Sequence, residues 1–235
     1  MARLKPQLAQ SLVEGIVREI KSSIVAGDLR PGEPFSIGEL ATELEVSHIP
    51  VREALRRLEA DGLVMLRPGR SAIVTPLSID ELEEVYRLRL LVEVDLAGRS
   101  ARSYTDEQIT LAEGYCERLG VAAPDGGNLR DQDAHHRLHQ LFLTPAAGPH
   151  STQIVTRLMD ISDRYVGLVY DARPVAFDEP YRRHLELVNA AKKRSAPAMR
   201  KALTAHLSEN LEYMTAWLMP YLESEEDLAA AAAAS

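Results

Sequence analysis

Residues 39–62, ELATELEVSHIPVREALRRLEADG, decide how the N-terminal part of the chain folds. Leu40, Ala41 and Leu44 form one short apolar stripe, and Val51, Leu55 and Leu58 form a second at helical spacing, with Val46 between them. Ser36-Ile37-Gly38-Glu39 is a capping box that opens the first stripe. Pro50 is tolerated in the first turn of the second, and Gly62 stops it. The pattern predicts two short helices, to about Leu44 and from Ser47 to about Ala60, joined by a tight turn. This is a helix-turn-helix. In such a pair the N-terminal turn of the second helix enters a major groove. Here that turn exposes Ser47, His48, Ile49 and Arg52.

Upstream, residues 8–26 place Leu8, Leu12, Ile16, Ile20 and Ile24 at four-residue spacing, an amphipathic helix stopped by Gly27. A turn at Pro31-Gly32 follows. Downstream, LVML and AIV flank Arg67-Pro68-Gly69-Arg70-Ser71 and read as a two-stranded hairpin. Its tip, Pro68-Gly69-Arg70, suits a wing lying along a nucleic-acid backbone or minor groove. After the Thr75-Pro76 linker the pattern changes. Ser78-Ile79-Asp80-Glu81 is a second capping box, and helices are expected near 79–103, 106–119, 129–143, 151–171, 179–193 and 196–222. The expected breaks include Pro124-Asp125-Gly126-Gly127 and Arg173-Pro174. EEDLAAAAAAS carries no periodicity, so residues 224–235 are expected to be disordered. The fold class is therefore mostly α: an α+β domain over 1–76, then an all-α bundle over 77–223.

The 235 residues carry a formal charge of −8, yet residues 1–76 hold ten basic and ten acidic side chains, so the whole excess falls on the helical part. Within the first part Arg52, Arg56, Arg57, Arg67 and Arg70 face only Glu53, Glu59 and Asp61. A local basic patch suffices for phosphate contact on an acidic protein. With 46% hydrophobic and 26% charged residues the chain can bury a core. One cysteine, Cys116, excludes an internal disulfide, and no apolar run approaches the length of a bilayer span. The N-terminus lacks the apolar core of a signal peptide. A cytoplasmic location is expected.

Seven histidines are present: His48, His135, His136, His139, His150, His184 and His206. His135 and His139 share a helix face at i, i+4 spacing. His184 in DEPYRRHLELV and His206 in MRKALTAHLSEN each lie on an expected helix beside an apolar stripe. An i, i+4 pair and two further helices can converge imidazoles inside a bundle. Imidazole suits zinc, nickel, copper and iron(II). HExxH, GxSxG and P-loop patterns are absent from the sequence.

The segments GDLRPGEPFS, ELATELEVS, PVREALRRLEADGLV and RPGRSAIVTPLS closely resemble the winged helix-turn-helix of GntR-family transcriptional regulators. The resemblance implies operator contacts from Ser47, His48, Ile49, Arg52 and Gly69, with Arg70 beside them at the wing tip. Gly38 and His48 stand where arginine is common in that family, and Ile49 where threonine is common. SIDELEEVYRLRLLVEVDLA resembles the opening of the effector-binding FCD domain of the FadR-like subgroup. That implies a dimerising bundle that binds small organic acids, often with a divalent metal held by one Asp and three His. His184 and His206 are 22 residues apart, matching the family's last two ligand motifs. His139 aligns with the first histidine. His135 then stands where aspartate is usual, and Asp131 with His135 is the competing register.

The reading is a non-enzymatic, homodimeric regulator. It binds an inverted-repeat operator in double-stranded DNA and responds to a small carboxylate. A transition metal, zinc or else nickel or iron, is expected on His135, His139, His184 and His206. Arg89, which forms a charged pair with Glu93 in the sequence, is the candidate for an effector carboxylate or for a structural ion pair. Tyr86, Tyr165 and Tyr170 are candidates to line a pocket or the core. The alternative reading is a metal-dependent enzyme using the same histidines.

Overall fold

The computed structural model describes residues 6–68, 71–119, 132–172 and 178–233. Gly69, Arg70, Asp131, the expected break at 124–127 and Arg173-Pro174 lie outside the described residues. The chain divides into two compact units, Met1–Leu77 with Asp163–Leu168, and Ser78–Ser162 with Val169–Ser235. No described helix is long and apolar enough to cross a membrane.

In the first unit α1 (Pro6–Ala26) is followed by β1 (Pro34–Ser36), α2 (Ile37–Glu43), α3 (His48–Ala60), β2 (Val64–Leu66) and β3 (Ser71–Val74). Ser36 caps α2, its hydroxyl accepting from the Gly38 and Glu39 amides at 3.2 and 3.4 Å. The turn to α3 passes through Glu45 at φ 54°, a left-handed residue, while the Val46 amide donates to the Ala41 carbonyl at 2.9 Å. Gly62, at φ 83°, takes the chain off α3, a conformation open to glycine at little cost. The three strands form an antiparallel sheet in the order β1-β3-β2, with Phe35 opposite Ala72 and Met65 opposite Ile73.

Two expectations are corrected here. The sheet has three strands, because Pro34–Ser36 pairs with β3. Three residues headed by proline show no period, so pairing to a longer-range partner decides them. In α1, Leu12 is 44% exposed and Val13 is buried instead. Four-residue steps advance 400° against the helix's 360° per turn, so a stripe counted by fours drifts about 40° per step. Val13, three before Ile16, keeps the stripe on the buried face beside Ile20 and Ile24.

The second unit is all helical: α4 (Ile79–Ser100), a 3-10 turn over Ala101–Ser103, α5 (Asp106–Leu119), α6 (Gln132–Leu143), α7 (Pro149–Ala172), α8 (Asp178–Lys192) and α9 (Ala196–Ala233). α4 runs along α9, while α8 packs on both α5 and α9. The buried face of α4 reads Leu82, Val85, Tyr86, Arg89, Glu93, Leu96, Ala97 and Ser100, so two charges interrupt an apolar stripe. At Gly98 an added Cβ would stand 2.5 Å from Arg200 Nε of α9, and Arg200 reaches Asp95 on α4 at 3.6 Å. Cys116 is buried on α5, and its thiol is pushed up to about 11 by burial and by Glu117.

α9 is also corrected. It was expected to end near 222, and it continues through Pro220 to Ala233. Proline removes a single backbone donor, and the alanine and glutamate that follow are strong intrinsic helix formers needing no apolar period.

Val51, Ala54, Leu55 and Leu58 of α3 are wholly buried, and α3 packs on α1, α2 and β2. Leu55→Ala is expected to cost about 2–5 kcal/mol in denaturant unfolding of the first unit. A loss below about 1 kcal/mol would show that this helix does not organise the core.

Candidate functional site

α3 presents a mixed outer face. His48, Arg52 and Arg56 follow one another at i, i+4, i+8 and are all exposed. Ile49 is 79% exposed, an unusual position for a large aliphatic side chain on a small domain. Ser47 is the N-cap residue of α3 but makes no side-chain capping hydrogen bond. The amides of a helix's first turn have no partner within the helix, and a helix N-terminus favours anions such as phosphate. His48 Cε1 lies 3.5 Å from where a Gly38 Cβ would stand, so the imidazole is seated over the start of α2. Glu53 pairs with Arg57 at 3.9 Å on the exposed side.

In the second unit four imidazoles meet. His135 and His139 come from α6, His184 from α8 and His206 from α9. Their ring centroids lie 4.7 Å apart for His135–His139, 5.1 Å for His135–His184, 5.0 Å for His139–His206 and 4.8 Å for His184–His206. One nitrogen from each of the four falls within 4.8 Å of the others. His139, His184 and His206 are buried and His135 is half-buried. They converge because each occupies a place in its helix's inward stripe: His139 beside Leu138 and Phe142, His184 before Leu187 and Val188, His206 between Leu203 and Leu207.

Arg89 and Glu93 lie deep in the same unit, 3% and 0% exposed. Arg89 Nε and Nη2 donate to the two Glu93 carboxylate oxygens at 2.6 and 3.4 Å, and Nη1 donates to Ser162 Oγ at 3.0 Å. Glu93 Oε2 is in turn 4.0 Å from His139 Nδ1. Burial holds the His135, His139 and His206 rings well below their ordinary pKa, and the neighbouring imidazoles and Arg89 push the same way. The rings are therefore neutral, each with one lone-pair nitrogen. His139 Nε2 and His206 Nδ1 are buried without a hydrogen-bond partner. Such atoms cost about 1–3 kcal/mol each unless something fills the space they face. A tetrahedral ion with bonds near 2.0–2.1 Å needs nitrogens about 3.4 Å apart, so a modest inward turn of the rings would fit this donor set to zinc or a similar ion.

The structure thus brings together the four histidines singled out in the sequence. It places Arg89 against Glu93 and Ser162. Tyr86 and Tyr165 are buried in the core, while the Tyr170 side chain lies outside the described residues. Sequence reasoning missed Arg183 and Asn210. Asn210 lies one turn beyond His206, and that i, i+4 offset was the available signal.

A three-stranded wing behind an exposed recognition helix, carried on a chain with an all-helical second unit, defines a winged helix-turn-helix DNA-binding regulator. The chain belongs to the GntR family, in the group carrying an FCD domain. Residues 12–74 match the bacterial regulatory proteins of the gntR family, and residues 84–209 match the FCD domain. It is similar to the HTH-type transcriptional repressor RspR of Escherichia coli strain K12, 28% identical across 85% of this chain and 87% of the relative. It is also similar to the gluconate operon transcriptional repressor of Bacillus licheniformis, 26% identical across 79% of this chain and 77% of the relative. The E. coli McbR/YncC structure shares the fold, with a TM-score of 0.79 at 20% identity, over 88% of this chain and 98% of that one.

The histidine shifts carry a sign for stability. Folded-state values lie below the unfolded value of about 6.5, so this contribution is complete above that pH and is lost as pH falls beneath it. In the presence of chelator, the melting temperature of the helical unit should drop steadily between about pH 7 and pH 5. His206→Leu should flatten that slope. A melting temperature indifferent to pH over that range would mean the rings are not buried as described.

Proposed function

We propose that the protein is a homodimeric transcriptional regulator whose grip on an inverted-repeat operator is set by a small carboxylate bound in its helical unit. A divalent transition metal, most simply zinc, is held there by His135, His139, His184 and His206. The observation that carries the proposal is the convergence of four imidazoles from three helices, with His135, His139 and His206 held neutral by burial. Their lone pairs suit zinc, nickel or iron rather than calcium or magnesium. Neutral ligands leave the ion its full 2+ charge, which favours an anionic partner. Arg89 would contribute through Nη1, now on Ser162 Oγ, because Glu93 holds its Nε and Nη2 and offsets its charge. One relative is named for the operon of gluconate, a sugar acid, and this agrees with a carboxylate effector. A regulator is favoured over a metal-dependent enzyme by the recognition helix and by the relatives, which are regulators.

On the DNA side, Arg52 and the Ser47–Ile49 turn meet base edges, with Gly69 and Arg70 at the wing. A helix this short reads only a few base pairs, so specificity needs two half-sites and hence two copies of the chain. Ile49 and His48, in place of polar readers, shift recognition toward apolar contact such as a thymine methyl. An effector can change operator affinity only by binding one arrangement of the dimer better than another.

Two measurements check this. With an operator obtained by in vitro selection, Arg52→Ala should weaken binding by about 1–3 kcal/mol, and wild-type affinity should fall steeply with salt. An unchanged affinity would remove Arg52 from the interface. Metal analysis of the purified protein beside His184→Ala and His206→Ala should find one ion per chain in wild type and a large loss in both variants. Equal content in all three would remove the metal from this cluster.

A further inference from the structure

His206 and Asn210 stand one turn apart on α9, and Asn210 Nδ2 lies 3.2 Å from His206 Nε2. Which end of the amide faces the ring is decided by a third residue. Arg183, on α8, sets Nη1 3.0 Å from Asn210 Oδ1, and a guanidinium can only donate. The carbonyl oxygen therefore faces Arg183, and the amide NH2 faces His206. That NH2 is also a donor, so the Nε2 it meets must carry the lone pair. In the neutral ring the proton then sits on Nδ1, the atom that is buried without a hydrogen-bond partner.

We propose that Asn210, clamped by Arg183, is a positioning residue that fixes the tautomer of His206 and so gates metal entry into the four-histidine cluster. The inference rests on the metal reading of that cluster. An ion needs a ring lone pair. With Nε2 turned to Asn210, the nitrogen left for it is Nδ1, which carries the proton in the clamped state. Loading therefore takes the proton off Nδ1 and puts one on Nε2, leaving the ring neutral. A protonated Nε2 needs an acceptor where the NH2 now stands, so the amide must turn over. That gives Oδ1 to His206 and withdraws it from Arg183. Arg183 has a second partner within reach, since its Nε is already 3.5 Å from Glu209 Oε2. The gate thus links the state of a ligand on α9 to the polar cross-bridge between α8 and α9. Groups hydrogen-bonded to a ligating histidine commonly change metal affinity by about 10–100-fold.

The test is nitrogen-15 NMR of the full chain after chelation and after zinc loading, with His206 assigned by comparison with His206→Gln. Wild type should show the proton on Nδ1 without metal and on Nε2 with zinc. Asn210→Asp offers an acceptor to Nε2 with no amide to invert. It should hold the proton on Nε2 even without metal and bind zinc about tenfold or more tighter. The added carboxylate also attracts the cation by charge alone, so the proton position on the metal-free ring is the readout that separates the gate from that attraction. A metal-free wild type with the proton on Nε2, or an Asn210→Asp chain with unchanged or weaker zinc binding, overturns the gate alone. A wild type that takes up no zinc removes the metal reading, and the gate with it.

Discussion

The helical unit is organised around a charge constraint. Four imidazoles and a guanidinium share its interior with the Glu93 carboxylate. Glu93 is already committed to Arg89 at 2.6 Å. Burial makes a protonated imidazole costly there, and each neighbouring ring and Arg89 add repulsion in a medium that screens charge poorly. His135, His139 and His206 are held neutral for this reason, and neutral imidazoles bring lone pairs to the cluster. The apolar residues flanking each histidine then take on a second role. Leu138, Leu187 and Leu207 bury their helices' inward faces, and in doing so they aim the rings at one another.

The DNA-binding half obeys a different constraint. Its core is small and closed by Val51, Leu55 and Leu58, which leaves the opposite face of α3 free to vary without loss of fold. The seating of His48 over Gly38 joins two positions that depart together from the common family pattern, so the start of α2 and the start of α3 form one surface. A side chain at 38 would come into ordinary contact with the imidazole, and the two positions are physically coupled for that reason.

Much of this was legible in the sequence because it is local. The helix-turn-helix follows from two caps and two short stripes, and the long helices from their period. The convergence of His184 and His206 was legible through motif spacing, since each sits on a face that packing must turn inward. What was not legible depends on partners distant in the chain. β1 exists through its pairing with β3, and no property of Pro34–Ser36 announces it. Leu12 was misassigned because four-residue steps drift around the helix, and α9 was cut short because alanine needs no period to be helical. Arg183 and Asn210 were invisible as a pair, because α8 and α9 must be set side by side before one reaches the other.

Gly98 has a consequence for anyone altering this chain. Replacing a glycine inside a helix by alanine is a standard stabilising move, worth up to about 1 kcal/mol from backbone entropy alone. On α4 the same methyl would fall within 2.8 Å of Arg200 Cγ as well as the guanidinium, so the stem of that side chain, not just its tip, must yield. The arginine would leave its place over α4 and give up Asp95. The seat of Arg200 against α4 thus depends, at this point, on the absence of one methyl group, and a substitution chosen on helix propensity alone would displace that side chain.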